Sequence, residues 1–134
     1  MELSPAVRAF LDERRFAVLA TIRQDGLPQQ TVMWYQLQGD TIMMNTARGR
    51  VKDRNLHRDP RASICVEDGQ RYVTLSGTCE LQWEDQERAQ ADIKALAVRY
   101  DGPERAEESA ASFRRQVRET IRLRIERVDA RGFE

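Results

Sequence analysis

Lys52 is one of only two lysines among 22 basic residues, and it stands in the run Arg48-Gly49-Arg50-Val51-Lys52-Asp53-Arg54-Asn55. There a segment that reads as strand gives way to a short helix. Residues 48–61 carry six basic side chains against two acidic ones, in a chain whose formal net charge is zero. A local cation excess at a helix start, without a global excess, points to a bound anion. Phosphate suits the place best, because helix-start amides point at it and a guanidinium grips it with two hydrogen bonds. Gly49 lets the chain turn tightly. If Arg50 and Lys52 are still extended, they project to the same side. A phosphate would then meet a guanidinium fork, an ammonium and the helix amides at once. Thr46 adds a hydroxyl. Asn55, one helical turn past Val51, either ties the loop to the helix or bonds the ligand. The competing reading is solvated surface charge, and it is strongest for Arg54, Arg58 and Arg61. Met33 and Trp34, on a neighbouring strand, are soft and flat enough to flank a ring; packing in a core or interface is the alternative.

The rest of the composition narrows the function. The length of 134 residues fits one domain, 1–134, with a substantial core. Zero net charge lacks the one-signed field that general nucleic-acid or membrane-surface binding needs. No stretch approaches the roughly 20 apolar residues of a membrane span. The N-terminus lacks the basic-then-apolar form of an export signal, so a cytoplasmic protein is expected. Cys65 and Cys79 form no CxxC pair and read as inert thiols on strands. His57 is the only histidine. A Ser-His-Asp site and a His-rich metal site are therefore not expected, and His57 itself reads as solvated on a charged helix.

Periodicity supplies the elements that must hold these residues. Ser4-Pro5 opens a helix, with Val7, Phe10 and Leu11 on its apolar stripe. Residues 16–22 read as a buried strand, Asp25-Gly26-Leu27-Pro28 as a turn, and residues 31–37 as a second strand with apolar bulk on both faces. A strand of that kind is covered twice. Residues 41–46 form a third strand. The basic helix over 50–58 stops before Pro60, and residues 62–67 form a fourth strand. The fifth strand spans 72–83, with Gly77 marking a bulge or bend. Helices follow over 84–100 and around Ala106, Ala110, Phe113 and Val117, then a last strand over 120–128. Six strands at short spacing, edged by helices, read as a mainly β fold, a six-stranded antiparallel barrel. A barrel this small fills its interior with side chains. A ligand then sits outside it or between two subunits, and the two-faced second strand favours a symmetric dimer.

The ordered set of pieces resembles the flavin-binding split-barrel family, the pyridoxamine 5'-phosphate oxidase-like proteins. Within it, the set is most similar to the small branch that uses the deazaflavin coenzyme F420. The resembling stretches are residues 16–22, Asp25-Gly26-Leu27-Pro28 with 31–35, Arg50-Val51-Lys52 with Asn55-Leu56, Asp59-Pro60-Arg61-Ala62, and Ser76-Gly77-Thr78. The resemblance implies a homodimeric split barrel with a cofactor in each interface groove. It places the phosphate-binding pair on Arg50 and Lys52. It runs Gln30, Thr31, Val32, Met33 and Trp34 beside the ring and brings Tyr72 across from the second subunit. It also implies an oxidoreductase, with hydride passing from F420 to a small conjugated substrate. No catalytic side chain is expected, because the cofactor carries that chemistry. FMN is the alternative cofactor. The last strand carries Arg122, Arg124 and Arg127 but no histidine, which departs from the family's oxidase members.

Two further classes stay open at this stage: a flavin or deazaflavin carrier without turnover, and a barrel that stacks single-stranded bases on Trp34 or Tyr35. The absence of a basic stripe outside residues 48–61 weighs against the second.

Overall fold

A computed structural model describes residues 2–133. Helix α1 (Pro5–Asp12) starts as the sequence predicts: the Ser4 hydroxyl accepts the Val7 N–H, and Pro5 occupies the first turn. Strands β1 (Ala17–Ile22), β2 (Pro28–Met33), β3 (Gln36–Gln38) and β4 (Thr41–Ala47) lead to α2 (Val51–Arg58). Strands β5 (Arg61–Glu67) and β6 (Tyr72–Gln82) follow, then α3 (Gln86–Asp101), α4 (Pro103–Phe113) and β7 (Arg118–Arg131). The predicted Val117 position on the last helix falls after it ends, and that side chain is exposed.

The expectation of six strands closed into a barrel is corrected. The sheet has seven strands in the order β2-β1-β5-β6-β7-β4-β3, and its pairings are antiparallel. It is not closed by pairing between its edges. Those edges, β2 and β3, are consecutive pieces of the strand predicted over 31–37, broken at Trp34 and Tyr35. The cause is Tyr100 of α3. Its hydroxyl oxygen accepts the Tyr35 N–H at 3.0 Å and lies 3.2 Å from the Tyr35 carbonyl. A side chain thus satisfies backbone groups that a neighbouring strand would otherwise take. The first half of the segment pairs with β1 and the second with β4, and the sheet curls without joining.

The core lies inside that curl, built from alternate residues of each strand with Phe10 and Leu11 of α1. The strand covered on both faces is β4. Ile42 and Met44 face the core, while Met43 packs under Ile93 and Leu96 of α3. Trp34 joins that second cluster and stacks on Tyr100, with centroids 5.2 Å apart. The bulk predicted on the second face of residues 31–37 is therefore covered at Trp34 by the chain's own helix, while Val32 stays 64% exposed.

Gly77 marks a register shift, as its position predicts. The extra residue lies opposite, on β7, where Ser76 pairs with Arg127 and Gly77 with Ile125. A Cβ on Gly77 would stand 1.8 Å from the Arg124 carbonyl oxygen, so β7 can approach only a glycine there. We expect Gly77→Ala to lower unfolding stability by at least about 2 kcal/mol, read as a drop in the urea midpoint. An unchanged midpoint would show that β7 shifts freely.

Candidate functional site

The turn before α2 begins at Gly49, whose φ of +92° suits glycine. Arg50 is the N-cap, and no side chain caps the helix there. The Asp53 carboxylate instead reaches back to the Gly49 N–H, with Oδ2 at 2.6 Å. Arg50 is exposed and Lys52 is 7% exposed. Among the described residues neither makes a side-chain hydrogen bond or ion pair.

A third cation joins them from the other end of the sequence. Arg118 opens β7 and is 5% exposed. Its guanidinium donates to Asn45 Oδ1 at 2.9 Å and to Gln116 Oε1 at 2.6 Å, both neutral oxygens. Burial, then the Arg50 charge, lowers its pKa to about 10. Burial also lowers the Lys52 pKa, followed by the charges of Arg50 and Arg118, against a smaller opposing pull from Asp53. Arg50, Lys52 and Arg118 thus form a partly buried group of cations that repel one another.

Arg50 and Arg118 line a groove of ≈ 280 Å³ whose apolar wall includes Val32, Met33, Trp34 and Phe113. The predicted ring-side residues Val32, Met33 and Trp34 and the predicted anion ligand Arg50 therefore share one cleft. Gln30 and Thr31 precede them on β2; Gln30 is exposed, and Thr31 accepts from Gln29 Nε2 at 2.8 Å. Thr46 is buried, at 1% exposed. Asn55 is buried and ties α2 to β1, donating to Thr21 Oγ1 at 3.1 Å and accepting from Arg58 at 3.0 Å. Tyr72 lies on β6, three strands from β2 across the sheet, so within one chain it does not reach the groove. Of the arginines read as solvated, Arg58 is anchored on Asn55, and Arg61 pairs with Asp59 at 2.7 Å. On the last strand, Arg122 pairs with Asp92 and Arg124 with Glu80.

Sequence reasoning misses Arg118 because nothing local marks it; its partners Asn45 and Arg50 lie about 70 residues earlier. It also misreads His57. That ring sits 2.7 Å from Glu119 Oε1 and 3.1 Å from Asp53 Oδ1, and packs edge-on against Trp83. The Asp53-x-x-x-His57 spacing, one helical turn, is the readable half of that cluster.

A curled antiparallel sheet with a cationic, aromatic-walled groove beside a split edge defines the class of the protein. Residues 3–132 match the pyridoxamine 5'-phosphate oxidase family, and the chain belongs to it. A conserved protein of Mycobacterium tuberculosis is 29% identical, with TM-score 0.83 over 100% of this chain and 88% of that one. An F420 reductase is 26% identical, with TM-score 0.74 over 91% and 94% of the two chains. A haem storage protein of Vibrio cholerae shares the fold at 22% identity and TM-score 0.75, over 99% and 97%. No helix among the described residues is long and apolar enough to cross a membrane.

The cation group carries a stability signature. The Lys52 pKa in the fold lies below its ordinary value, so the folded state disfavours the charged form. That penalty is present at neutral pH and is relieved as pH rises through the folded pKa. Lys52→Met should therefore raise the melting temperature at pH 7 and reduce the advantage gained on going to alkaline pH. Inorganic phosphate should stabilise the parent chain more than the variant. A variant that melts lower at pH 7, with an unchanged phosphate response, would show that Lys52 meets no anion.

Proposed function

We propose that the chain is an oxidoreductase that binds a phosphate-bearing deazaflavin, coenzyme F420, in this groove, with FMN as the alternative. The observation that carries the proposal is the convergence of Arg50, Lys52 and Arg118 with no carboxylate paired to them among the described residues. Cations left unbalanced in a partly buried place cost stability, and an anion brought by a ligand would offset that cost. The residues fit the cofactor's two chemical parts. The cations and the uncapped start of α2 suit a phosphate. Val32, Met33 and Trp34 suit the flat side of a ring system.

When bound, the ring supplies the hydride chemistry. The chain's part is to orient and shield it. Trp34 is braced from behind by Tyr100, so it presents a fixed surface to the groove. Arg118 is braced by Asn45, which in turn donates to the Ala89 carbonyl at 3.0 Å. F420 takes precedence because the reductase relative is similar over most of both chains. FMN stays the alternative because the same cations would hold its phosphate. Haem fits this groove less well. The only histidine, His57, is turned toward Asp53 and Glu119, so the groove offers no imidazole.

We also propose that the working unit is a homodimer. The groove is small for a cofactor of this size, since ligand pockets run from about 300 to 1,000 Å³. A second copy would supply the missing wall. The outward side of β2-β1-β5-β6 offers a place for it, with two uncharged rows across the strands. One row is Val32, Val18, Cys65 and Thr74; the other is Gln30, Ala20, Ser63 and Ser76. The substrate is read as a small conjugated molecule, with neither nucleic acid nor membrane as partner.

Titration of the purified protein with F420 and FMN side by side, followed by fluorescence, tests the cofactor. Tight binding of F420 is expected. Lys52→Met should weaken it by about 1.5–3 kcal/mol, the scale of a charged hydrogen bond. Binding of neither cofactor would overturn the reading, and preference for FMN would move the chain to the flavin side of the family. For the dimer, Ser63→Arg should shift sedimentation to the monomer and weaken cofactor binding together. A Ser63→Arg chain that remains dimeric would remove this face from the interface.

A further inference from the structure

On another side of α2 from the groove, three metal-capable side chains meet. One oxygen from each of Asp53 and Glu119 and a ring nitrogen of His57 all lie within 4.8 Å of one another. Asp53 is 2% exposed and Glu119 is fully buried. The two carboxylates are held in different ways. Asp53 Oδ2 accepts the Gly49 N–H at 2.6 Å and lies 3.3 Å from Arg48 Nε. Glu119 Oε1 takes the short contact from His57 Nε2 at 2.7 Å. Among the described residues that leaves Glu119 Oε2 buried without a hydrogen-bond partner, and Asp53 Oδ1 buried with no hydrogen bond beyond its 3.1 Å ion-pair contact with His57 Nε2. Buried carboxylate oxygens so poorly satisfied are rare in a folded chain and call for a reason.

We propose that Asp53, His57 and Glu119 form a binding site for one divalent transition-metal ion of the zinc class. One imidazole nitrogen and two carboxylate oxygens are a common three-donor set for zinc, with a fourth position left to water. The same set suits cobalt(II), whereas magnesium prefers all-oxygen octahedral surroundings. The Gly49 amide and the Arg48 guanidinium on Oδ2 turn the free Oδ1 toward the other donors, as outer partners of metal ligands do. The fourth position is accessible. A cleft of ≈ 440 Å³ lined by Arg48, Gly49, Asp53, Arg54, His57 and Val117 opens onto the cluster, and the His57 side chain is 31% exposed. Trp83 packs edge-on against His57 with centroids 5.0 Å apart and gives the site a built-in reporter.

The site is separate from the cofactor groove, so its test stands apart from the cofactor proposal. The protein is stripped with chelator and titrated with Co²⁺, following visible absorption and tryptophan fluorescence. One Co²⁺ per chain is expected, with visible bands, quenching at Trp83, no thiolate-to-cobalt absorption from Cys65 or Cys79, and displacement by Zn²⁺ but not by Mg²⁺. His57→Gln changes a partly exposed side chain and should leave the fold intact by circular dichroism. It should weaken Co²⁺ at least about 10-fold. Glu119→Gln, which keeps the side chain's shape but removes its charge, should weaken it as well. Absence of saturable binding would overturn the proposal. So would equal affinity in a folded His57→Gln chain, or a thiolate band showing that the ion sits on cysteine.

Discussion

The Tyr100 hydroxyl is the contact on which the rest of this architecture depends. It takes the backbone of Tyr35 out of the ladder, and the ring beneath it stacks on Trp34. Residues 28–38 therefore divide their allegiance, one half to β1 and the other to β4. Had the segment continued as one flat strand, its two sides would have been covered by core and neighbour. Instead the break opens a seam, and α3 crosses behind it. The groove and its braced tryptophan follow from that departure. Tyr100 also carries a cost if altered, since losing its oxygen would leave the buried Tyr35 N–H without a partner.

Helix α2 sorts charge that the whole chain cancels. Its start faces a cluster of cations through Arg50 and Lys52, while Asp53 and His57, one turn apart, face Glu119. These are opposite electrostatic environments separated by the width of one short helix. Asp53 stands at the border and affects both. It weakly supports the charged form of Lys52, and with Gly49 and Arg48 it fixes the turn. Asn55 then pins the helix to β1 through Thr21, so neither cluster can relax by moving α2 as a body.

The local parts of this architecture are legible in the sequence, and the nonlocal parts are hidden. Caps, turns and the alternation of β1, β5 and β6 can be read because they depend on neighbours within a few residues. The Gly77 bulge is visible because a glycine inside a strand usually marks a bend or a close backbone approach. The strand break at Trp34 and Tyr35 is not visible, because its cause lies 65 residues away on α3. Arg118 and Glu119 escape notice for the same reason. They open the last strand and look like an ordinary polar start, and only the β4–β7 pairing carries them to Ala47 and Thr46 beside α2. His57 reads as solvated because its own helix is charged. Local sequence cannot show that a buried carboxylate arrives from another strand.

Val32 connects the two halves of the proposed function. It is exposed on the outward side of β2, within the uncharged row that would meet a second copy, and it also lines the groove. A ligand resting on Val32 would stand at the margin of the interface and not in a pocket sealed within one chain. Under that arrangement, binding and dimerisation share surface, and each strengthens the other by mass action. The fold alone does not decide the chemistry, since reductase and haem storage relatives both share it. The proposal for this chain rests on the content of the seam: Arg50 and Arg118 at one end, a braced indole along the wall, and the sole imidazole turned away from it.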